Sequence, residues 1–195
     1  MERDHSLEVP QLFEEYHARV YRIILRLIGN PADAEELTQE TFVKVYRHLS
    51  SLKQPEKASS WVYRIATNVA LDRVRQRSYK ESRGQVRLDS GGIDVPSEGS
   101  TPLTDMERNE TTKCVRQFAE YLPDQYRAVL VLHELEGLPL KEVAEATDSS
   151  LAATKVRLHR ARKKFAALCS AECEQFHNEE NILCCEPKDN TCCPS

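Results

Sequence analysis

The chain has 195 residues, with 27 Lys and Arg against 31 Asp and Glu, for a formal net charge of −4. That length supports one or two small domains, each able to bury a core of its own. No apolar run approaches the roughly 20 residues of a membrane span, and the start, Met1 to Ser6, lacks the basic-then-apolar order of a signal peptide, so a cytoplasmic protein is expected.

From Leu12 to Ile28, Phe13, Tyr16, Val20, Ile24 and Leu27 recur at helical spacing, and Gly29 ends the helix. Asn30 as N-cap and Pro31 at the first helical position begin a second one. It is expected to bury Ala34, Leu37, Thr41, Val45 and Leu49 or their neighbours. Its outer side carries Asp33, Glu36, Gln39, Glu40 and Lys44, acidic near the N-terminus as the helix dipole favours. Leu52 to Ser59 is a polar loop with Pro55. A third helix follows from Ser60 to about Tyr79, with Trp61, Ile65, Ala66 and Val69 inward and Arg64, Asn68, Arg73, Arg75 and Arg77 outward. Aromatic and basic groups beside an exposed Asn suit single-stranded nucleic acid, whose unstacked bases need stacking surfaces and whose backbone needs cations. Trp61 can equally be a core residue.

Ser82 to Pro102 is rich in Gly, Ser and Asp and reads as a flexible linker. Thr104 to Glu107 forms a capping-box signature that opens a helix reaching Tyr121. Leu122-Pro123 breaks it, Pro123 to Leu135 makes another, and Gly137 precedes the next element. No strand pattern or internal repeat is present, so the fold class expected is all-α. Two helical domains, 8–81 and 104–168, are joined by a linker at 82–103 and followed by a cysteine-rich tail at 169–195.

Leu138 to Phe165 reads as a short helix, a turn at Thr147-Asp148-Ser149 and a second helix whose N-cap is Ser150. Thr154, Leu158, Ala161 and Phe165 make one inward stripe. The rest of this helix is cationic: Lys155, Arg157, Arg160, Arg162, Lys163 and Lys164, with no carboxylate from Leu151 to Leu168. A bracing helix followed by a basic one is a helix-turn-helix, whose second helix enters the DNA major groove and neutralises phosphates. A solvated basic face is the plainer alternative.

Four stretches stand in one order: Asp33-Ala-Glu-Glu-Leu-Thr-Gln-Glu-Thr-Phe42, Trp61-Val-Tyr-Arg-Ile-Ala-Thr-Asn-Val-Ala-Leu-Asp72, Leu122-Pro-Asp-Gln-Tyr126 and Arg157-Leu-His-Arg-Ala-Arg162. In them the chain, from about Leu12 to Leu168, resembles the extracytoplasmic-function (ECF) group of bacterial sigma factors. The resemblance implies a promoter-specificity subunit of RNA polymerase. It implies that Glu36, Gln39 and Glu40 contact the clamp helices of the largest core subunit. It also implies that the Lys53 to Ser59 loop and the helix after it, with Asn68, receive a flipped base of the minus-ten element; Trp61 and Arg73 on that helix are DNA-binding candidates by residue type alone. Lys155, Val156, His159 and Arg160 would read the minus-thirty-five element, with Arg157, Arg162 and Lys163 beside them on the DNA. Val156 stands where the family often has a small polar residue, which bears on the promoter read. Neither a nucleophile–base pair nor a phosphate-cradling Gly loop is present, so the sequence carries no enzyme signal. A helix-turn-helix regulator or thiol-redox protein that never joins polymerase is the alternative.

The tail holds six of the seven cysteines. In a continuing helix Cys169, Cys173 and His177 fall on one face, and with the Cys184-Cys185 pair they could gather zinc, copper or cadmium. Cysteine-rich C-terminal extensions that sense metal occur in some ECF sigma factors, and this tail is similar in kind, with adjacent pairs in place of Cys-X-Cys spacings. A structural zinc knuckle, a redox thiol pair and a disordered tail are the other readings. No cofactor is required by the body of the chain. An anti-sigma protein is the other route of control that the resemblance implies. Cys114, far from the rest, reads as a small buried hydrophobe.

Overall fold

A single left-handed residue, Gly29 at φ 73°, turns the chain between its first two helices. A computed structural model describes residues 8–81, 119, 121–177 and 183–187. Helix α1 spans Val9–Ile28 and α2 Pro31–His48, with the Asn30 side chain accepting from the Asp33 N–H at 3.0 Å. That N-cap is the one expected, since Asn satisfies an orphan donor and Pro31 needs none. Two short 3-10 turns, Leu49–Ser51 and Pro55–Lys57, lead into α3, Ala58–Glu81. Helix α3 therefore starts two residues before Ser60, because the Pro55 turn already sets helical geometry.

The first unit is a three-helix bundle. Leu12, Val20, Ile23, Ile24 and Leu27 of α1 are buried against Ala34, Leu37 and Val45 of α2 and Val62, Ala66 and Val69 of α3. Phe13, expected inward, is 43 % exposed; Leu12 takes the inward place. The Phe13 ring instead lies at the bundle edge against His17 and Phe42, with centroids 4.5 and 4.8 Å away.

The second unit contains α4, Asp124–Leu130, a π-helical turn at Val131–Leu135, α5, Leu140–Ala146, and α6, Leu151–Glu172. The single helix expected from Pro123 to Leu135 runs unbroken from Asp124 to Leu135, with its last five residues in a π turn. In the π turn the Glu136 N–H reaches back five residues to the Val131 carbonyl at 3.0 Å. The linker at 82–103, the helix opened by Thr104 and Cys114 lie outside the described residues.

The two helical units are packed on one another. Helix α3 lies along α5, and a single buried apolar cluster runs from Leu12 through Val62 and Leu132 to Ala161. At the seam the Glu136 carboxylate is ion-paired to three guanidiniums of α1: Arg26 at 2.5 Å, Arg19 at 3.7 Å and Arg22 at 3.7 Å. The buried Arg127 of α4 donates to the Leu27 carbonyl at 3.3 Å, near the C-terminal end of α1 where a cation is favoured.

Helix α6 does not continue to His177. It stops at Glu172, and Cys173 is extended at φ −128°, ψ 145°. Strands β1, Cys173–His177, and β2, Leu183–Pro187, form an antiparallel hairpin in which Gln175 pairs with Cys185 and Phe176 with Cys184. The continuation of the helix to His177, on which the one-face array depended, is not formed because two short segments satisfy each other's backbone groups, an option that neither segment's own periodicity reveals.

Two substitutions separate core packing from local capping. Leu27→Ala, at a fully buried position, lowers the stability of the full chain by about 2–5 kcal/mol, whereas Ser150→Ala at the α6 N-cap lowers it by about 0.5–2 kcal/mol. Urea titrations followed by helical circular dichroism check the order.

Candidate polymerase and nucleic-acid interfaces

Hydroxyl groups fix the turn before α6. The Ser150 Oγ accepts from the Ala153 N–H at 3.2 Å, Thr147 donates to the Val143 carbonyl at 2.8 Å, and Ser149 and Thr154 share a hydrogen bond of 2.7 Å. Asp148, at φ 49°, is the non-glycine residue that closes the turn in left-handed geometry. Thr154, Leu158 and Ala161 are buried beneath α6, with Phe165 half-buried, as the stripe in the sequence requires. Lys155, Val156, His159, Arg160 and Lys163 are all exposed along the opposite side, Val156 at 49 %. Arg157 is half-buried. Arg162 turns back to Glu134, its Nε 2.8 Å from the carboxylate, and Lys164 lies over the Tyr126 ring at 5.9 Å. The exposed strip can meet phosphates and base edges together.

On α2, Glu36, Gln39 and Glu40 are exposed, one and two turns from the N-terminus. Glu40 pairs with Lys44 at 2.9 Å. Glu36 accepts from Arg73 of α3 at 2.8 Å, and that hydrogen bond holds its carboxyl below the usual range. Arg73 also donates to Asp33 at 2.9 Å, and Arg77 pairs with the same carboxylate. Arg73 was expected to point outward; its guanidinium is instead engaged at the seam between α2 and α3.

Trp61, Arg64 and Asn68 fall at i, i+3 and i+7 on α3. Arg64 and Asn68 are exposed, and Trp61 is half-buried. The indole packs against the core and also lines a cleft with Lys53, Gln54, Lys57 and Arg64. The ring is therefore at once part of the core and a wall of the cleft. The opposite wall of the cleft is α5 and its turn, with Glu145, Asp148 and Ser149. The sequence reading missed this wall, and it missed Glu136. Its one signal was the stripe of Arg19, Arg22 and Arg26 on α1, of which Arg22 and Arg26 have no carboxylate within four residues on their own helix.

In the tail, Cys169 and Cys173 are buried thiols packed with Phe165 and Leu168, and the Cys173 N–H donates to the Cys169 carbonyl. The expected one-face array of Cys169, Cys173 and His177 on a continuous helix is not formed, because Cys173 and His177 belong to β1. No group of three metal-ligating side chains occurs among the described residues. The side chains of His177, Cys184 and Cys185, and all of Cys192 and Cys193, lie outside the described residues. No helix among the described residues is long and apolar enough to cross a membrane.

Residues 12–79 match the sigma-70 region 2 family model, and residues 112–165 match that of sigma-70 region 4. The chain is 34 % identical over 157 residues to the ECF RNA polymerase sigma factor SigE of Mycolicibacterium smegmatis, covering 79 % of this chain and 58 % of that one. It is 30 % identical over 152 residues to the ECF RNA polymerase sigma factor SigW of Bacillus subtilis, covering 76 % and 81 %. In fold it is similar to the sigma factor RpoE from Bartonella quintana, solved with the anti-sigma factor NepR. That likeness has a TM-score of 0.63 at 21 % identity and covers 83 % of this chain and 96 % of that one.

The Arg73 hydrogen bond gives a titration prediction. With its folded value lowered, the Glu36 pairing is present at neutral pH and is lost as pH falls through that lowered value. Arg73→Ala moves the Glu36 titration up into the ordinary carboxylate range, read by side-chain carbon NMR, and the Glu36 contact itself contributes little to stability because that carboxylate is exposed. An unmoved Glu36 would show that Arg73 does not set its charge.

Proposed function

The chain belongs to the ECF group of sigma-70-type RNA polymerase sigma factors, and from that membership we propose that it binds core RNA polymerase and directs promoter-specific initiation of transcription. The observation that carries this reading is the exposed strip of α6, Lys155, Val156, His159, Arg160 and Lys163, presented by a capped helix-turn-helix with its apolar stripe buried. A helix so displayed suits the major groove.

In this reading Lys155, Val156, His159 and Arg160 read base edges of the minus-thirty-five element, while Arg157, Arg162 and Lys163 serve its phosphates. Glu36, Gln39 and Glu40 dock on the polymerase clamp helices. Arg73 braces the docking helix against the DNA-reading one. The cleft beside Trp61, with Asn68 on the same face of α3, receives a base extruded from the minus-ten element. Holding that base by stacking and edge hydrogen bonds offsets a few kcal/mol of the unstacking cost of melting. The work is binding work: the chain supplies no covalent chemistry and requires no cofactor for it, and it acts in the cytoplasm where polymerase meets DNA. The Bartonella neighbour is held by an anti-sigma factor, which supports a protein of that class as a further partner here.

Two experiments test the reading. The purified chain co-elutes with core RNA polymerase, and Glu36→Lys weakens that association without unfolding the chain. A chain that never co-elutes is a helix-turn-helix regulator of another kind. On the preferred promoter Arg160→Ala costs about 1–3 kcal/mol and relaxes preference at one base pair, whereas Lys163→Ala weakens all sequences alike and flattens the salt dependence. Equal losses on cognate and scrambled DNA for both variants would remove direct readout by Arg160.

A further inference from the structure

In the middle of the cationic strip of α6 stands one large apolar side chain, Val156, at 49 % exposure. Folding does not call for it there. Thr154, Leu158 and Ala161 are the residues buried beneath the helix, and on an exposed position a β-branched residue is a poorer helix former than Ala. What Val156 offers is shape, because its χ1 is held in one rotamer within a helix and its two methyl groups stand at a fixed place. Its neighbours one turn away on the same line are Ala152 and Arg160, both exposed. An apolar pair is thus followed, about 6 Å along the axis at 1.5 Å per residue, by a guanidinium. That distance is about two base-pair steps of the duplex at 3.4 Å each. The major groove offers a guanidinium the O6 and N7 of guanine, and it offers an apolar side chain the C5-methyl of thymine. At the same place cytosine presents an amino donor, which Val cannot satisfy.

We propose that Val156, flanked by Ala152, reads the C5-methyl group of a thymine in the minus-thirty-five element, within two base pairs of the pair that Arg160 reads. The inference rests on the reading of α6 as the base-reading helix and names the chemical group that one of its positions takes. Lys155 and His159, one turn apart on the adjacent line, are left for polar edges and phosphates. Val156 discriminates by removing apolar surface from water and releases no counterion, so its contribution does not follow salt as that of Lys163 does.

The test uses holoenzyme assembled with the full chain. Its preferred minus-thirty-five element is selected from a randomised duplex library, and Arg160→Ala holoenzyme locates the base pair at which preference relaxes. Each thymine is then replaced by deoxyuridine, which removes the methyl group and leaves every hydrogen-bonding group in place. At one thymine within two base pairs of the Arg160 position, this replacement weakens binding about fourfold, as expected for one methyl group returned to water. The factor is the same at low and high salt. In Val156→Ser the replacement has no effect, while Val156→Thr, which keeps one methyl group at the same branch, retains part of it. Putting 5-methylcytosine at that place recovers part of the binding that cytosine loses. A selected element with no thymine in that window overturns the proposal, as does a methyl effect equally large in wild type and Val156→Ser. Arg160→Ala separates the two failures. If no methyl effect is found but Arg160→Ala still relaxes preference at one base pair, α6 reads bases and Val156 does not; if Arg160→Ala changes no preference either, the base-reading assignment of α6 falls as well.

Discussion

One carboxylate joins the halves of this protein. Glu136 has a side chain only 2 % exposed, and its neighbours are three arginines one and two turns apart on α1, themselves 30–39 % exposed. Burial pushes its carboxyl above the ordinary carboxylate range, and Arg26, Arg22 and Arg19 offset only part of that rise. A carboxylate in that position is tolerable only with its partners in place: loss of one side of a fully buried pair costs about 3–5 kcal/mol, and less where, as here, the cations keep part of their water.

Around that contact the apolar surface does the bulk of the work. The buried cluster is continuous from the first bundle into the helix-turn-helix, so neither unit shows water the face it gives the other. The polar contacts over it, Arg127 on Leu27, Ser60 on Glu145 and Arg75 on Asp124, fix orientation rather than affinity. The consequence for function is geometric. In this arrangement the exposed strip of α6 and the acidic face of α2 are both open to solvent, while the cleft on α3 is shared with α5.

How much of this could be read from the residues follows from how far apart the determinants lie. The Asn30 cap, the Ser150 cap and the stripe of Thr154, Leu158 and Ala161 are set within one or two helical turns, and the sequence shows them plainly. Leu12 and Phe13 are adjacent and both apolar, so periodicity alone could not choose the inward one; the ring contacts with His17 and Phe42 decide it. The tail hairpin depends on pairing between segments that carry no alternating pattern. Glu136 lies 110 residues from Arg26 and 117 from Arg19, and nothing near it in the chain announces a partner. Arg73 looked outward because its acceptors, Asp33 and Glu36, are on another helix.

The π turn at Val131–Leu135 has a consequence for how this chain can vary. Its backbone closes over five residues, where an α-helix closes over four, so Glu136 emerges one position later in the helical phase than continuous α-helix would place it. Deleting one residue there would restore ordinary phasing and swing every following side chain by roughly 100°, carrying the carboxylate off the arginine stripe without changing a single amino acid on either face. Descendants of this sequence can exchange side chains along the seam in small steps, but the length of this one turn is an all-or-nothing character.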